Sequence, residues 1–326
     1  MIVTVTPNPS VDRTIAVPAV RRGAVVRATS TWHEPSGKGV NVSLALAAHG
    51  HATRAVLPLG GPEGDRLARM LTAAGIDFRP VRIAGEVRGN VSLAEPGGTV
   101  TKVNEPGPEI TAEEAAALIT AALSAADGAT WLTACGSLPP GSPTDFFARL
   151  CVTARHTGPR PAALSAAGGR LRVAVDTSGA PLRAALAAGP DLVKPNVGEL
   201  ADATGRAITT LGEALDASAL LLERGAGQVL TSLGGDGALL VTPSGAVHGE
   251  VIIDRPRSSV GAGDALLAGF LAAGADGPEA LAAALDWAGA AVSAPGTLLD
   301  PTHVEGHWKV HIHDHPTPTR PLTDPA

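Results

Sequence analysis

The feature that most limits the fold is an alternation that runs along nearly the whole chain. Short β-rich runs give way, again and again, to Ala/Leu-rich runs of helical length. Strands are expected at 2–6, 55–59, 130–134, 171–176, 192–194 and 228–232. Helices are expected at 39–49, 65–74, 112–125, 143–155, 181–188, 211–223, 263–273 and 279–293. The helix at 112–125 carries its own start signal, Thr111 with Glu114 three residues on, the spacing of a capping box. Strands joined through helices of this length need right-handed crossovers and lie mostly parallel, and a parallel sheet must be covered on both faces. The fold class is therefore α/β, a three-layer α/β/α core.

Two stretches, 14–33 and 86–103, have β-prone residues and turns but no helical period. They read as a small β-sheet lid beside the ends of the main strands. Within the second, Glu95-Pro-Gly-Gly-Thr99 is a hairpin-turn sequence between 90–94 and 100–103. The expected organisation is a core of 1–13, 34–85 and 104–305, a lid of 14–33 and 86–103, and a C-terminal strand and tail at 306–326. Residues 158–169 read as a surface loop, and the Pro/Thr-rich tail from about His315 as poorly ordered. His303, His307, His311, His313 and His315 crowd the same end. Val310 and Ile312 alternate with His311 and His313, which favours an edge strand over a metal site.

Composition narrows the function. Of 326 residues 44% are apolar, enough for a large core and incompatible with disorder throughout. Lys and Arg total 25 against 31 Asp and Glu, and a net charge of −6 argues against binding nucleic acid through phosphate neutralisation. Two cysteines exclude a disulfide framework. The first residues lack the basic region and apolar run of a signal peptide, and no long apolar run suggests a membrane span. A cytoplasmic globular protein is expected.

Only four lysines occur, Lys38, Lys102, Lys194 and Lys309, and three of them stand in unusual contexts. In Pro35-Ser-Gly-Lys-Gly-Val-Asn41, glycines flank Lys38 where a helix begins, so a ligand can approach main-chain amides at a positive helix end; a plain turn is the alternative. It is not a Walker A loop, because Gly39 stands where Ser or Thr is required. In Val260-Gly-Ala-Gly-Asp264, the amides of Gly261, Ala262 and Gly263 can form a nest for phosphoryl charge, and Asp264 can accept a proton from a hydroxyl. Asp264 can equally be a helix cap. In Lys194-Pro-Asn-Val-Gly-Glu199, Asn196 and Glu199 can reach a Mg²⁺ shell through water, or simply begin a helix. Ser232-Leu-Gly-Gly-Asp-Gly237 can pass main chain close to a nucleotide, or be a hairpin turn. Asp12, just after the first strand, stands where open α/β folds bind ligands.

These stretches, in this order, resemble the ribokinase-like (PfkB) carbohydrate kinase family. The resemblance rests on Asn8-Pro-x-x-Asp12, Gly37-Lys-Gly-x-Asn-Val42, Gly136-Ser-Leu-Pro-Pro-Gly141, Val193-Lys-Pro-Asn-x-x-Glu199, Ser232-Leu-Gly-x-x-Gly237 and Val260-Gly-Ala-Gly-Asp264. Thr101-Lys-Val-Asn-Glu-Pro-Gly-Pro108 and the Arg88-x-Asn90 pair point to the sugar-phosphate kinases within it. The resemblance implies a ribokinase-like core with a β lid, ATP as donor and Mg²⁺ as helper. It implies Asp264 as catalytic base beside an anion hole of Gly261, Ala262 and Gly263. Asp12, Gly37, Gly39 and Asn41 would position the sugar with Lys38 close by, and Arg88, Lys102 and Ser137 would hold the substrate's phosphate. Lys194, Asn196, Glu199, Ser232, Gly234, Gly235 and Gly237 would serve nucleotide and metal. A small-molecule sugar phosphate is the expected partner, with a homodimer formed through the lid. Three positions depart from the family pattern: Ser36 for Gly, Ser259 for Thr and Ala265 for Ser. Arg88 and Lys102 as idle solvated charges remain the alternative to a phosphate clamp.

Overall fold

The computed structural model describes residues 1–96, 99–157, 170–254, 256–257, 260–294, 307–313 and 315–323. The loop expected at 158–169, the middle of the 95–99 turn, Ser259 and His303 lie outside the described residues.

Among the described residues the main sheet has ten strands. Its parallel part is β11 (Val229–Ser232), β10 (Leu192–Val193), β9 (Arg172–Asp176), β8 (Trp131–Cys135), β1 (Ile2–Val5), β4 (Thr53–Leu59) and β5 (Phe78–Arg82), neighbours in that order. Strands β1 and β8 are buried at every residue, as strands covered on both faces must be. Beyond β11 the sheet turns antiparallel through β12 (Ala238–Thr242), β13 (Gly245–Ile253) and β14 (Trp308–His313). Strand β14 is the edge expected of the His-rich run. Strands β5, β12 and β13 are additional to those expected. Strand β5 is a half-exposed edge containing Pro80, and β12–β13 is a meander without an intervening helix to punctuate it.

Helices α1 (Lys38–Ala48), α2 (Gly61–Ala73), α8 (Ala262–Ala272) and α9 (Gly277–Ser293) cover one face. Helices α3 (Ala112–Ala125), α4 (Phe146–Thr157), α5 (Gly179–Ala187), α6 (Val197–Thr204) and α7 (Leu211–Glu223) cover the other. The Thr111–Glu114 capping box forms as its spacing predicts. Ala265 is buried in the α8 layer. Among the described residues no helix is long and apolar enough to cross a membrane.

Among the described residues the lid is a separate four-stranded sheet, β3 (Ser30–Ser36), β2 (Ser10–Ala16), β6 (Arg88–Ala94) and β7 (Val100–Val103), in that order. It begins at Ser10 and closes at Ser36, a few residues beyond the stretch 14–33. The tail differs from expectation. Leu322 is buried against the core and Pro321 bridges Thr210, so 315–323 is docked rather than loose. Its prolines remove amide donors, but Pro318 O, Arg320 O and Leu322 N–H find backbone partners at 209–212.

Candidate active site

Five neighbouring strands, β11, β10, β9, β8 and β1, all end at one rim of the sheet, where open α/β folds place their ligands. At the centre of that rim stands Asp176, the last residue of β9 and fully buried. Lys38 Nζ donates to its Oδ1 at 2.7 Å, and Lys194 Nζ lies 3.0 Å from its Oδ2. Burial pushes the Asp176 carboxyl up, but the Lys194 and Lys38 charges outweigh this and hold it below the usual carboxylate range. Lys38 also approaches Glu199 at 3.4 Å. Burial alone would lower the Lys38 ammonium; Asp176 and Glu199 instead hold it above its ordinary value. Lys38, expected beside the sugar, is thus turned toward the same group as Lys194. Asp176 is not among the expected site residues, although an aspartate ending an apolar Val-Ala-Val run is a visible signal.

Asp264 lies close by, buried, in the first turn of α8. Gly261 enters this helix at φ 80°, a left-handed conformation that favours glycine. Gly261 is the residue at the cap position, so Asp264 is inside the helix and not its cap. Its Oδ2 accepts a 2.7 Å hydrogen bond from Asn41 Nδ2 on α1, while Asn41 Oδ1 is buried with no partner among the described residues. Burial, then the Asp176 charge, push the Asp264 carboxyl up to about 6; the Asn41 hydrogen bond, Lys194 and Lys38 oppose this. The N–H groups of Ala262 and Gly263 belong to the first turn, which no preceding helical carbonyl can satisfy. A methyl placed on Gly263 would stand 3.5 Å from Lys194 Nζ. That space is bordered by main-chain amides, an ammonium and a carboxyl, which suits a phosphoryl group receiving an oxygen nucleophile.

Glycines 37 and 39 have a packing reason. A Cβ on Gly37 would stand 2.7 Å from Thr6 Cγ2, and one on Gly39 would collide with Thr6 Oγ1, at the end of β1. Asn196 and Glu199 form a reciprocal capping box on α6: Glu199 N–H donates to Asn196 Oδ1 at 2.8 Å and Asn196 N–H to Glu199 Oε2 at 3.0 Å. Ser232 N–H donates to Pro195 O at 3.1 Å, which brings the Ser232–Gly237 turn beside them. That turn is the hairpin between β11 and β12, with Gly234 and Gly235 exposed and Gly237 at φ 87° packed against Gly249. Among the described residues no group of three or more potential metal ligands exists. Glu199 offers a single carboxylate, with Oε2 accepting from Asn196 N–H and Oε1 3.4 Å from Lys38 Nζ; such a donor could meet a Mg²⁺ only through water and phosphate.

The lid supplies the opposite wall. Asp12 Oδ1 accepts from Ser10 Oγ at 2.6 Å and from Asn90 Nδ2 at 2.9 Å. Arg88 donates to Glu105 O at 2.7 Å and Asn8 O at 3.1 Å, and its Nε is buried without a partner among the described residues. Ser137 Oγ accepts from Asn8 Nδ2 at 3.2 Å. Arg88 and Ser137 face one cavity of about 510 Å³. Lys102 is exposed on β7 across from Ser92, on the lid face shared by Arg88, Asn90 and Asp12.

Residues 6–303 match the pfkB family of carbohydrate kinases. The chain is 38% identical over 274 residues to a 1-phosphofructokinase of Rhodobacter capsulatus, covering 83% of this chain and 82% of that one. It is 33% identical over 270 residues to an ATP-dependent 6-phosphofructokinase isozyme 2 of Mycobacterium tuberculosis, covering 82% and 76%. Phosphofructokinase-2 from Escherichia coli, solved with potassium, superposes with a TM-score of 0.83 at 30% identity, over 93% of this chain and 97% of that one. Matched over residues 6–303, and sharing the α/β/α core and lid of a solved relative, this chain belongs to the pfkB family of carbohydrate kinases.

Proposed function

We propose that the chain is a 1-phosphofructokinase, converting fructose 1-phosphate and ATP to fructose 1,6-bisphosphate and ADP. The observation that carries the reading is the pairing of two sites: a buried carboxyl held by Asn41 in the first turn of α8, and a separate cavity between Arg88 of the lid and the Ser137–Ser142 loop that follows β8. Asp264 takes the proton from the acceptor hydroxyl. A base that titrates near 6 is ionised at neutral pH yet more basic than an ordinary aspartate. Asn41 orients it through Nδ2 and keeps Oδ1 to accept from a sugar hydroxyl. Asp12, with Gly37 and Gly39 shaping the floor, meets further hydroxyls.

Ala262 and Gly263 amides, the Gly261 turn and Lys194 stabilise the charge on the group in transfer, and Lys38 with Lys194 is held in place by Asp176. ATP supplies the phosphoryl group, with Mg²⁺ neutralising part of its charge. Asn196 and Glu199 would hold that ion through water, and the exposed Gly234–Gly235 main chain, between Ser232 and Gly237, would take the nucleotide. Arg88, Ser137 and Lys102 hold the phosphate already on the sugar, which draws the lid over the site and excludes water, a competing acceptor. A lid-mediated homodimer is supported by Val103, 57% exposed on the lid face opposite the polar one, and is checked by sedimentation.

The M. tuberculosis and E. coli relatives favour a second reading, fructose 6-phosphate as acceptor, with tagatose 6-phosphate a third. ADP release measured across the three sugar phosphates separates them. The highest kcat/KM is expected for fructose 1-phosphate; the lowest value there overturns the proposal.

A further inference from the structure

The chain beyond residue 303 lies outside the family match, yet it returns to the active-site rim. After β14 the tail crosses the start of α7. Gly212 N–H donates to Pro318 O at 2.8 Å, Leu211 N–H to Arg320 O at 2.9 Å, and Leu322 N–H to Thr209 O at 2.9 Å. A side chain at position 212 would press on Pro318 O, so the glycine admits the tail. Leu322 is 7% exposed and packs into the core, which anchors the segment.

The next residue reaches the Ser232–Gly237 turn. Thr323 N–H donates to Asp236 Oδ2 at 2.6 Å and its hydroxyl to Oδ1 at 3.1 Å. Arg320 stands 3.6 Å from the same carboxylate and 2.8 Å from Glu250. Asp236 is only 4% exposed, so its charge needs partners from the protein. It is the last residue of the 3₁₀ turn Gly234–Asp236, and Gly234 and Gly235 are the exposed residues of that turn. On its other side the Asp236 carbonyl is 2.8 Å from His248 Nε2 on β13. The turn is thus gripped at one residue by two separate elements, one of them the tail.

We infer that Thr323 is a positioning residue for nucleotide binding, acting through Asp236 to fix the Gly234–Gly235 peptides. This rests on the reading of that turn as a nucleotide contact. The hydrogen bonds involved are charge-assisted, the stronger kind. Reciprocity follows: if the tail favours nucleotide binding, bound nucleotide protects the tail by the same factor.

The test uses the full chain. Thr323→Pro removes both donors and keeps the Leu322 anchor; Thr323→Val removes only the hydroxyl. Thr323→Pro is expected to raise KM for ATP about fivefold or more, with kcat and KM for the sugar phosphate within about twofold; Thr323→Val gives a smaller shift of the same kind. An unchanged KM for ATP, or an equal loss in every constant, overturns the inference. Should Thr323→Pro not fold, hydrogen exchange of the wild-type Thr323 amide gives the answer: saturating ATP slows it and the sugar phosphate does not, and equal rates overturn the inference. Gly235→Val probes the underlying reading, because a Cβ there meets nothing within 4 Å. If it leaves KM for ATP unchanged, the turn is not a nucleotide contact and both ideas fall. If it raises KM while Thr323→Pro does not, only the role of the tail is lost.

Discussion

The two walls of the site are built on different principles. On the core wall, Asp176 sits fully buried between two lysines, and Asp264 is held from another helix by Asn41. Every one of these groups stands at the end of a main-sheet strand or the start of a helix packed on it. On the lid wall, Asp12, Asn90 and Arg88 belong to a thin four-stranded sheet, and Lys102 is exposed. Groups that stabilise a transition state must be in place before the reaction, since reorganising them then would cost what they contribute. Groups that recognise a substrate can move as they close on it. On the proposed function, the core wall would carry the chemistry and the lid wall the recognition.

The contrast is broken most directly at Asp264. Asp264→Asn should cut kcat by roughly 10²–10⁴ while leaving sugar-phosphate affinity nearly intact; an unchanged kcat removes Asp264 from the mechanism. The same variant tests the electrostatics. The folded carboxyl titrates near 6, above the unfolded value of about 3.9. The native state then binds the extra proton between those values, so the fold loses stability as pH rises from about 4 through 6. Asp264→Asn removes that penalty, and its melting temperature at neutral pH should be no lower than wild type. A clear drop in melting temperature would show that the carboxylate is structural.

Asp176→Ala should cost about 3–5 kcal/mol, since it leaves buried ammonium charge without a partner. Urea denaturation measures this, and a loss below about 1 kcal/mol would mean the core wall is not held by that carboxylate. A smaller effect follows from pH alone. The acid limb of kcat/KM should fall about tenfold per pH unit below about 6, because Asp264 must be ionised to accept a proton. A limb centred near 4 would assign the base elsewhere.

On the lid wall, Arg88→Ala should raise KM for the sugar phosphate by about 10- to 100-fold, the loss of a charge-assisted contact, with kcat changed far less. If kcat falls as much as kcat/KM does, Arg88 acts in the transition state and the division between walls fails. Lys102→Ala should give the smallest change, a few-fold in KM that fades in high salt, because an exposed charge is screened. A salt-independent effect as large as that of Arg88→Ala would place Lys102 in a closed, desolvated clamp.

Much of this molecule was determined by local sequence. The parallel core follows from alternating strand and helix periods, and the Thr111–Glu114 box starts its helix by hydrogen bonds within four residues. The glycine turn at 261–263 followed by Asp264 marks a helix start with a carboxyl in its first turn, and it forms one. Such features need no distant partner. The tertiary structure decided what depends on contacts far along the chain. It turned Lys38 toward Asp176, 138 residues away, and gave an ordinary strand-ending aspartate the central charge of the rim. It explained Gly37 and Gly39 by their crowding against Thr6 and docked a tail whose composition suggested disorder. Charge pairing and burial are set by which strand ends become neighbours, and no local period in the sequence encodes that order.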